Sequence, residues 1–391
     1  MARRVFDLLS SLKLTVVCLS AALVLVFVGT LAQVSFGIHE VQQRYFQSLL
    51  VWWPATPEGF HMPVFPGGHL IGAVLLVNLI AAHIRRFRWS WNKLGIHLTH
   101  AGLIILLVGG LFTDLYSVES FMKLSPGETK NYSEDSLKME LAVIDASNAE
   151  LDQVVAIPES LLKPGREISL AALPFRLVVR GFYPNSRIVP LVNAGAGSVQ
   201  ASTQGAGASA AVQAVPRATA QNDRDVESVV VEIIPLATKD HPAPGSLGTW
   251  LVSEQLEEPQ AFESDGKPWR LVMRPARHYK AFSLTLKKFS HDRYPGTQIA
   301  KNFATSARLE DPERGEKRDV LIYMNHPLRY RGETFFQSGF TQNDSATILQ
   351  DVSNPSFLAP YIACVVVAAG LLIQFLIHFA GFLRRRNATA R

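Results

Sequence analysis

The sequence of 391 residues contains only two cysteines, Cys18 and Cys364, and no C-x-x-C pair. The two cysteines are far apart, and each lies within a hydrophobic run. This scarcity argues against a disulfide framework, a thiol-redox centre and a haem attached through a C-x-x-C-H motif. The sequence also lacks a phosphate-binding loop, a nucleophile–base constellation and a metal-cluster spacing, so it predicts no catalytic residues.

Charge is also sparse, and the net charge is only +5. The lysines and arginines cluster at the ends of hydrophobic runs and do not form one continuous patch. Such clusters indicate membrane topology, and they do not predict a nucleic-acid partner.

What the sequence does have is four long hydrophobic runs, at residues 14–34, 68–84, 94–114 and 357–383. A transmembrane helix needs about 20 mainly apolar residues, so each run predicts a membrane span. The first run is longer than the apolar core of a signal peptide, and no clear cleavage site follows it. We therefore expect it to be a retained helix.

The basic segments orient these spans. Residues 1–13, the link 85–93 and the tail 384–391 carry the arginine and lysine clusters, which favours the cytoplasmic side for all three. The loop 35–66, rich in aromatic residues and proline, and the long segment 115–355 then lie outside. Both termini are predicted to be cytoplasmic.

The segment 115–355 is not membrane-like. Runs of alternating β-branched and aromatic residues are separated by turn residues, and no long amphipathic helix pattern occurs. The predicted fold class is therefore membrane α plus all-β: four transmembrane helices, with a large extracytoplasmic β-sandwich-like domain or open barrel between the third and the fourth. The predicted strands are Lys138–Ile144, Phe175–Tyr183, Ser228–Ile234, Trp269–Met273, Phe282–Phe289, Val320–Met324 and Thr334–Phe340.

Within this domain, residues 193–223 consist almost entirely of small and polar residues. Such a composition buries little apolar surface, so we predict a disordered insertion.

The third span carries two histidines, His97 and His100, whose spacing puts both on one face of a helix. Ionisable groups inside a membrane are costly, and histidine is also a good ligand for haem iron. From the nearest basic residues, His100 and His378 are each about 10 Å deep, and His97 and His83 are shallower. The alternative for each histidine is a hydrogen bond to a carbonyl or a lipid headgroup near the membrane surface.

His69 and His83 have the spacing of ligands in a two-haem b-type cytochrome helix. No other span offers a matching pair at both depths, which argues against a b-type electron-transfer subunit. At most one haem site, on the inner side, is predicted.

The stretch 324–340 contains the core MNHPLRYRG followed by FFQSGF. It closely resembles the ResB (CcsB) family of cytochrome c biogenesis proteins. The opening Ser11-Leu12-Lys13-Leu14-Thr15 and the triplet His100-Ala101-Gly102 also resemble that family, as does the order of three spans, an outer β domain and a fourth span.

The resemblance implies a subunit of System II in a bacterial inner membrane, with a periplasmic domain. Such proteins act with a tryptophan-rich, multi-span ResC/CcsA-type partner to move haem outward and attach it to apocytochrome c. The chain would be a non-catalytic or co-catalytic subunit of a holocytochrome c synthase (haem lyase) complex. A third-span histidine is a haem ligand in this family. That role falls on His100 by motif, with His97 as the fallback, for a transient haem b shared with the partner.

In the motif 324–332, Pro327 and Gly332 are accounted for by a structural role, because they are the residues expected in a tight turn. Arg329 and Arg331 are nevertheless candidates to pair with haem propionates or with partner carboxylates, because guanidinium groups bind carboxylates bidentately. The main alternative function is a membrane scaffold that binds no haem and holds the partner or apocytochrome c.

Overall fold

The computed structural model describes residues 2–53, 61–87, 89–148, 151–218, 224–236, 245–256, 258–297, 300–341 and 345–389. The chain divides into two compact units. One contains residues 1–118 and 354–391, and the other contains nearly all of residues 119–353.

The first unit is helical. Among the described residues, four helices are long and apolar enough to cross a membrane: Leu12–Phe36, Gly68–Arg86, Trp91–Tyr116 and Ala359–Asn387. Each helix contains one of the predicted spans, except that the first two residues of the fourth predicted span precede its helix. By helix length and composition, the prediction of a membrane protein is confirmed. The α-helices are α1 (Ala2–Leu9), α2 (Leu12–Phe36), α3 (Ile38–Val41), α4 (Gly68–Arg86), α5 (Leu94–Tyr116) and α6 (Ala359–Thr389).

Within the loop predicted at 35–66, the described residues form secondary structure. Helix α2 runs into it, α3 and a π-helical turn at Gln42–Phe46 follow, and β1 (Leu50–Trp53) pairs with β2 (Met62–Pro66) in a hairpin. Val51 of the hairpin is buried with Leu25 of α2 and Ile71 of α4. Tyr45, Phe46 and Phe65 pack against the same cluster, so aromatic residues of this region help to pack α2 against α4.

A single polar side chain of α4 holds the start of α2. Asn78, 2% exposed, donates to the carbonyls of Leu9 and Ser11 and accepts from the Thr15 hydroxyl at 2.6 Å. These bonds satisfy the buried amide, which would otherwise be costly to place within a membrane helix.

Helices α5 and α6 pack antiparallel along a line of glycines spaced seven residues apart. A Cβ added at Gly95 would lie 2.4 Å from the Gly370 carbonyl oxygen, and one at Gly109 would lie 2.4 Å from Ala359 Cβ. Gly102, between them, faces Val367 at 2.6 Å. Small residues let two membrane helices approach closely, so these glycines set the register of α5 on α6.

The second unit is built of antiparallel sheets, with short 3-10 turns between strands. The strands are β3 (Val118–Leu124), β4 (Thr129–Asp145), β5 (Gln153–Pro158), β6 (Glu167–Ser169), β7 (Phe175–Tyr183), β8 (Ser186–Pro190), β9 (Ser198–Val199), β10 (Ala210–Ala214), β11 (Ser228–Pro235), β12 (Thr249–Ser253), β13 (Gln260–Ser264), β14 (Lys267–Arg293), β15 (Ala300–Asp311), β16 (Glu316–Tyr323), β17 (Leu328–Tyr330), β18 (Glu333–Phe340) and β19 (Thr347–Ser353).

Two long strands organise this unit. The strands of the largest sheet follow the order β16-β15-β14-β4-β3-β19-β18-β17, with β5 and β13 paired beside β4 and β14. One half of β4 and β14 shares a hydrophobic core with the four-stranded sheet β12-β11-β7-β6. The other half of β14 encloses a second core with β15 to β19. A large antiparallel β domain is therefore present, as expected.

Every predicted strand falls within or largely within an observed one. The prediction differs from the structure in one respect. The two predicted strands Trp269–Met273 and Phe282–Phe289 are parts of the single strand β14. Its middle pairs with β4 through register shifts on either side of residues 277–279, which lets one strand serve both cores.

The disorder predicted for residues 193–223 is corrected by the structure as far as residue 218, and residues 219–223 lie outside the described residues. Strands β8, β10 and β9 form a small sheet, and Val212 is fully buried against Val230 and Leu251. The small residues of this segment allow close contact: a Cβ at Gly207 would lie 2.6 Å from Leu251 Cβ. The segment is ordered by packing on its neighbours, which composition alone does not reveal.

Candidate functional site: a histidine cluster between two membrane helices

Three of the predicted site histidines, His83, His97 and His100, are in contact near the end of α4 and the start of α5. The His83 ring centroid is 5.2 Å from that of His97 and 5.6 Å from that of His100. The link between the helices is short, so the end of α4 lies beside the start of α5. The spacing of His97 and His100 on α5 then presents both rings to His83.

The two α5 histidines have different surroundings. His100 Nδ1 lies 2.8 Å from the Ile96 carbonyl oxygen, one turn earlier. A carbonyl can only accept, so this contact places a proton on Nδ1 and leaves the Nε2 lone pair of a neutral ring available to a metal. His97 instead stacks parallel to Trp89, with centroids 6.2 Å apart, and lies 4.9 Å from Phe87. The ring of His97 is thus framed by aromatic side chains.

His378 is not brought into this cluster. Its Nε2 lies 2.9 Å from the side-chain nitrogen of Gln374 on its own helix. Gly370 faces Gly95, and His378 is eight residues further along α6, about 12 Å, in the direction away from His97 and His100. The charge-based depths put His378 level with His100, whereas the packing of α6 on α5 places it beyond the start of α5.

In the β domain, the predicted arginines stand on either side of Tyr330. Arg331 forms an ion pair with Asp311, with Nε 2.7 Å from Oδ2. Its Nη2 donates to Asp311 Oδ1 at 3.0 Å, and its Nη1 donates to Glu313 at 2.7 Å. Its φ of +49°, followed by +84° at Gly332, forms the turn predicted there. Arg329 lies on the exposed side of β17. Arg331 is therefore already paired with carboxylates of its own chain.

Tyr330 belongs to the same polar group. Its hydroxyl lies 2.6 Å from Asp311 and 2.8 Å from Glu316. Burial, together with these two carboxylates, raises the pKa of Tyr330 to about 12. Burial also raises the pKa of Asp311, but the bonds from Tyr330, the Arg314 amide and Arg331 outweigh it and hold that pKa below its ordinary value. The motif thus carries an ionic network that closes the turn after β17.

A second polar contact in the membrane unit was not singled out from the sequence. His69, at the start of α4, has Nε2 2.5 Å from Asp114 Oδ2 near the end of α5, and Gln47 donates to the other oxygen of Asp114 at 2.8 Å. A cavity of about 350 Å³ opens beside them, and its lining includes Leu76 and Leu107 as well as Gly72 and Gly110. The sequence signals were an aspartate at the edge of a hydrophobic run and His69, which the sequence analysis related only to His83.

Two curated proteins resemble parts of this chain. Protein NrfI of Wolinella succinogenes is 33% identical over 95 residues, which cover 24% of this chain and 10% of NrfI. Cytochrome c biogenesis protein CcsB of a Synechococcus strain is 41% identical over 59 residues, which cover 15% of this chain and 13% of that protein. The chain therefore matches only about a tenth of the length of these relatives.

The family comparison covers far more of the chain. The model of the ResB-like family matches residues 81–362, from the end of α4 into α6. This range contains the whole β domain, the His97 and His100 pair and the motif 324–332. It is well over half of the chain, and the chain therefore belongs to the ResB-like family.

Proposed function

We propose that this chain is a haem-handling subunit in cytochrome c biogenesis. It would work in a bacterial cytoplasmic membrane with a ResC/CcsA-type multi-span partner, and haem would pass from the pair to apocytochrome c. The names of the similar proteins, one of which is a cytochrome c biogenesis protein, support the process. The observation that carries the haem role is the contact of three imidazoles from two membrane helices.

Within that cluster we assign the axial ligand to Nε2 of His100. The Nδ1 contact with the Ile96 carbonyl fixes the tautomer that exposes Nε2, which is a common way in which proteins prepare a histidine ligand. His83 and His97 line the same site, and His97 remains the fallback ligand. Bound haem b would supply the iron centre, and the partner would supply the opposing ligand.

The proposed orientation follows from charge. The histidine cluster lies beside Arg85, Arg86 and Lys93, and an excess of basic residues favours the cytoplasmic side. Haem would then be received at the inner face, and the β domain would lie outside, where apocytochrome c is found. The part of this chain is to hold and orient haem, as a non-catalytic or co-catalytic subunit.

The test is to co-express the chain with its partner, purify the complex and record the haem absorbance spectrum. We expect His100→Ala to lose most of the haem or to shift its spectrum, and external imidazole to restore the signal in His100→Gly. His378→Ala is the matched control, because His378 lies outside the cluster, and it should retain haem.

Three outcomes separate the possibilities. Loss of haem with His97→Ala but not with His100→Ala would move the ligand one turn along α5. Loss with His378→Ala alone would show that the cluster is not the site. Unchanged haem in a variant lacking all three cluster histidines would favour the scaffold function, in which the chain holds its partner or apocytochrome c and binds no haem.

A further inference from the structure

Two cations share helix faces with the histidine cluster. Lys93 precedes His97 by four residues and His100 by seven, the spacing of one face of a helix. Arg86 follows His83 by three residues and ends α4. Both side chains are exposed. Each helix therefore carries a histidine and, one or two turns nearer the helix end, a positive charge.

These two cations differ from their neighbour Arg85. The Arg85 guanidinium is paired with Asp7 at 3.0 Å and donates to the Ser10 hydroxyl at 2.8 Å, so it fixes α1 against α4. Within the described part of the chain, Arg86 and Lys93 form no ion pair with a carboxylate. Their charge is available to an anion from outside the chain.

The surroundings also favour a flat, apolar ligand. Phe87, Trp89 and Trp91 are 51%, 62% and 73% exposed, and Trp89 stacks on His97. A surface of aromatic rings next to two cations matches a planar molecule whose faces are apolar and whose edge is anionic. Lipid headgroups supply the anion but not the flat apolar body.

We propose that Arg86 and Lys93 form an anion subsite that binds the two propionate carboxylates of the haem, while its iron faces the histidines. This rests on the proposed function. Measured along the helix axis, each cation lies one to two turns, about 5–11 Å, from the cluster histidines on its own helix. This distance is comparable to half the width of a porphyrin. The propionates then point to the water at the inner face. The proposal assigns to Arg86 and Lys93 the propionate role for which Arg329 and Arg331 are also candidates.

The experiment compares haem with its dimethyl ester, iron protoporphyrin IX dimethyl ester, in which both carboxylates are blocked. The full chain with its partner is placed in nanodiscs of phosphatidylcholine, and binding is followed by the Soret absorbance. Wild type should bind haem about tenfold more tightly than the ester. The variant Arg86→Gln/Lys93→Gln should bind haem about as weakly as wild type binds the ester, with no preference left.

The control variant Arg384→Gln/Arg386→Gln removes the same charge from the end of α6 and should keep the tenfold preference. A preference that persists in Arg86→Gln/Lys93→Gln overturns the proposal, and so does an absent preference in wild type. The lipid source is tested by adding phosphatidylglycerol. If Arg86→Gln/Lys93→Gln alters the retention of phosphatidylglycerol but not the preference for haem over the ester, Arg86 and Lys93 bind lipid phosphate and the propionate assignment is wrong.

Failure of this inference can be told from failure of the proposed function. If His100→Ala changes the haem spectrum while Arg86→Gln/Lys93→Gln titrates as wild type does, only the anion subsite is wrong. If neither variant changes haem binding, the histidine site itself is wrong.

Discussion

The substitution Gly102→Ala tests how the packing of α5 on α6 sets the histidine cluster. Gly102 lies two residues after His100, on the face of α5 that meets α6. An added Cβ would lie 2.6 Å from Val367 Cγ2 and 3.0 Å from the Ala363 carbonyl oxygen. The valine methyl can rotate away, but the carbonyl belongs to the backbone of α6, so the helices must separate.

The expected magnitude follows from that overlap. Inserting a methyl group into a closely packed site typically costs about 1–3 kcal/mol. In a membrane, the loss of close packing is not offset by a hydrophobic driving force between helices, because lipid is equally apolar. We expect the upper part of this range for Gly95→Ala, where the nearest atom is the Gly370 carbonyl oxygen at 2.4 Å.

Gly110→Ala is the matched control on the same helix. A Cβ at Gly110 meets nothing within 4 Å, so this variant should be neutral, or slightly stabilised because alanine favours helix. The assay is thermal unfolding of the purified chain in detergent by intrinsic fluorescence, together with haem content after co-expression. Gly102→Ala should lower both, and Gly110→Ala should lower neither.

Equal stability of Gly102→Ala and Gly110→Ala would refute the reasoning, because it would show that α5 and α6 do not depend on this close approach. Reduced stability with full haem content would show that the register of α5 on α6 does not position His100.

Two further predictions concern the β domain. Burial and the adjacent Glu159 carboxylate raise the pKa of Glu227 to about 8. The folded state therefore keeps a proton that the unfolded state releases near pH 4.5. As a result, the free energy of unfolding falls as the pH rises from about 4.5 to 8. Glu227→Gln should remove this slope and raise stability at pH 8.5 by on the order of 2 kcal/mol, with little effect at pH 4.5; parallel unfolding curves for both proteins across this range would contradict it. The Lys280 side chain, 2% exposed, lies 2.6 Å from the buried Asp351 and 2.9 Å from the partly exposed Glu333. Lys280→Met therefore leaves a buried carboxylate and its neighbour without their cation and should cost about 3–5 kcal/mol in thermal unfolding. Lys287→Met, which breaks an exposed pair with Asp319, is the control and should cost less than about 1 kcal/mol; a similar loss in both would show that burial is not the cause.

Hydrophobic runs and alternation predicted the elements well because they depend on local sequence. The spans at 14–34 and 94–114 lie inside α2 and α5, and the run Phe175–Tyr183 is β7. The disorder predicted for residues 193–223 was wrong as far as residue 218, because Val212 and the glycines are ordered by Leu251 and Trp250 of another strand. Composition does not include such non-local contacts.

The histidines show the same division. The sequence alone determined that His97 and His100 share a face of one membrane helix, since helical spacing fixes that. Only the tertiary structure decided that His83 joins them, because the end of α4 lies beside the start of α5. It also decided that His378 does not, because the Gly95, Gly102 and Gly109 contacts set the register of α6 on α5. The tertiary structure also pairs Arg331 with Asp311, and it leaves Arg86 and Lys93 without a carboxylate among the described residues. Spacing along a chain gives the face of a helix, but only packing gives the neighbour that the face meets.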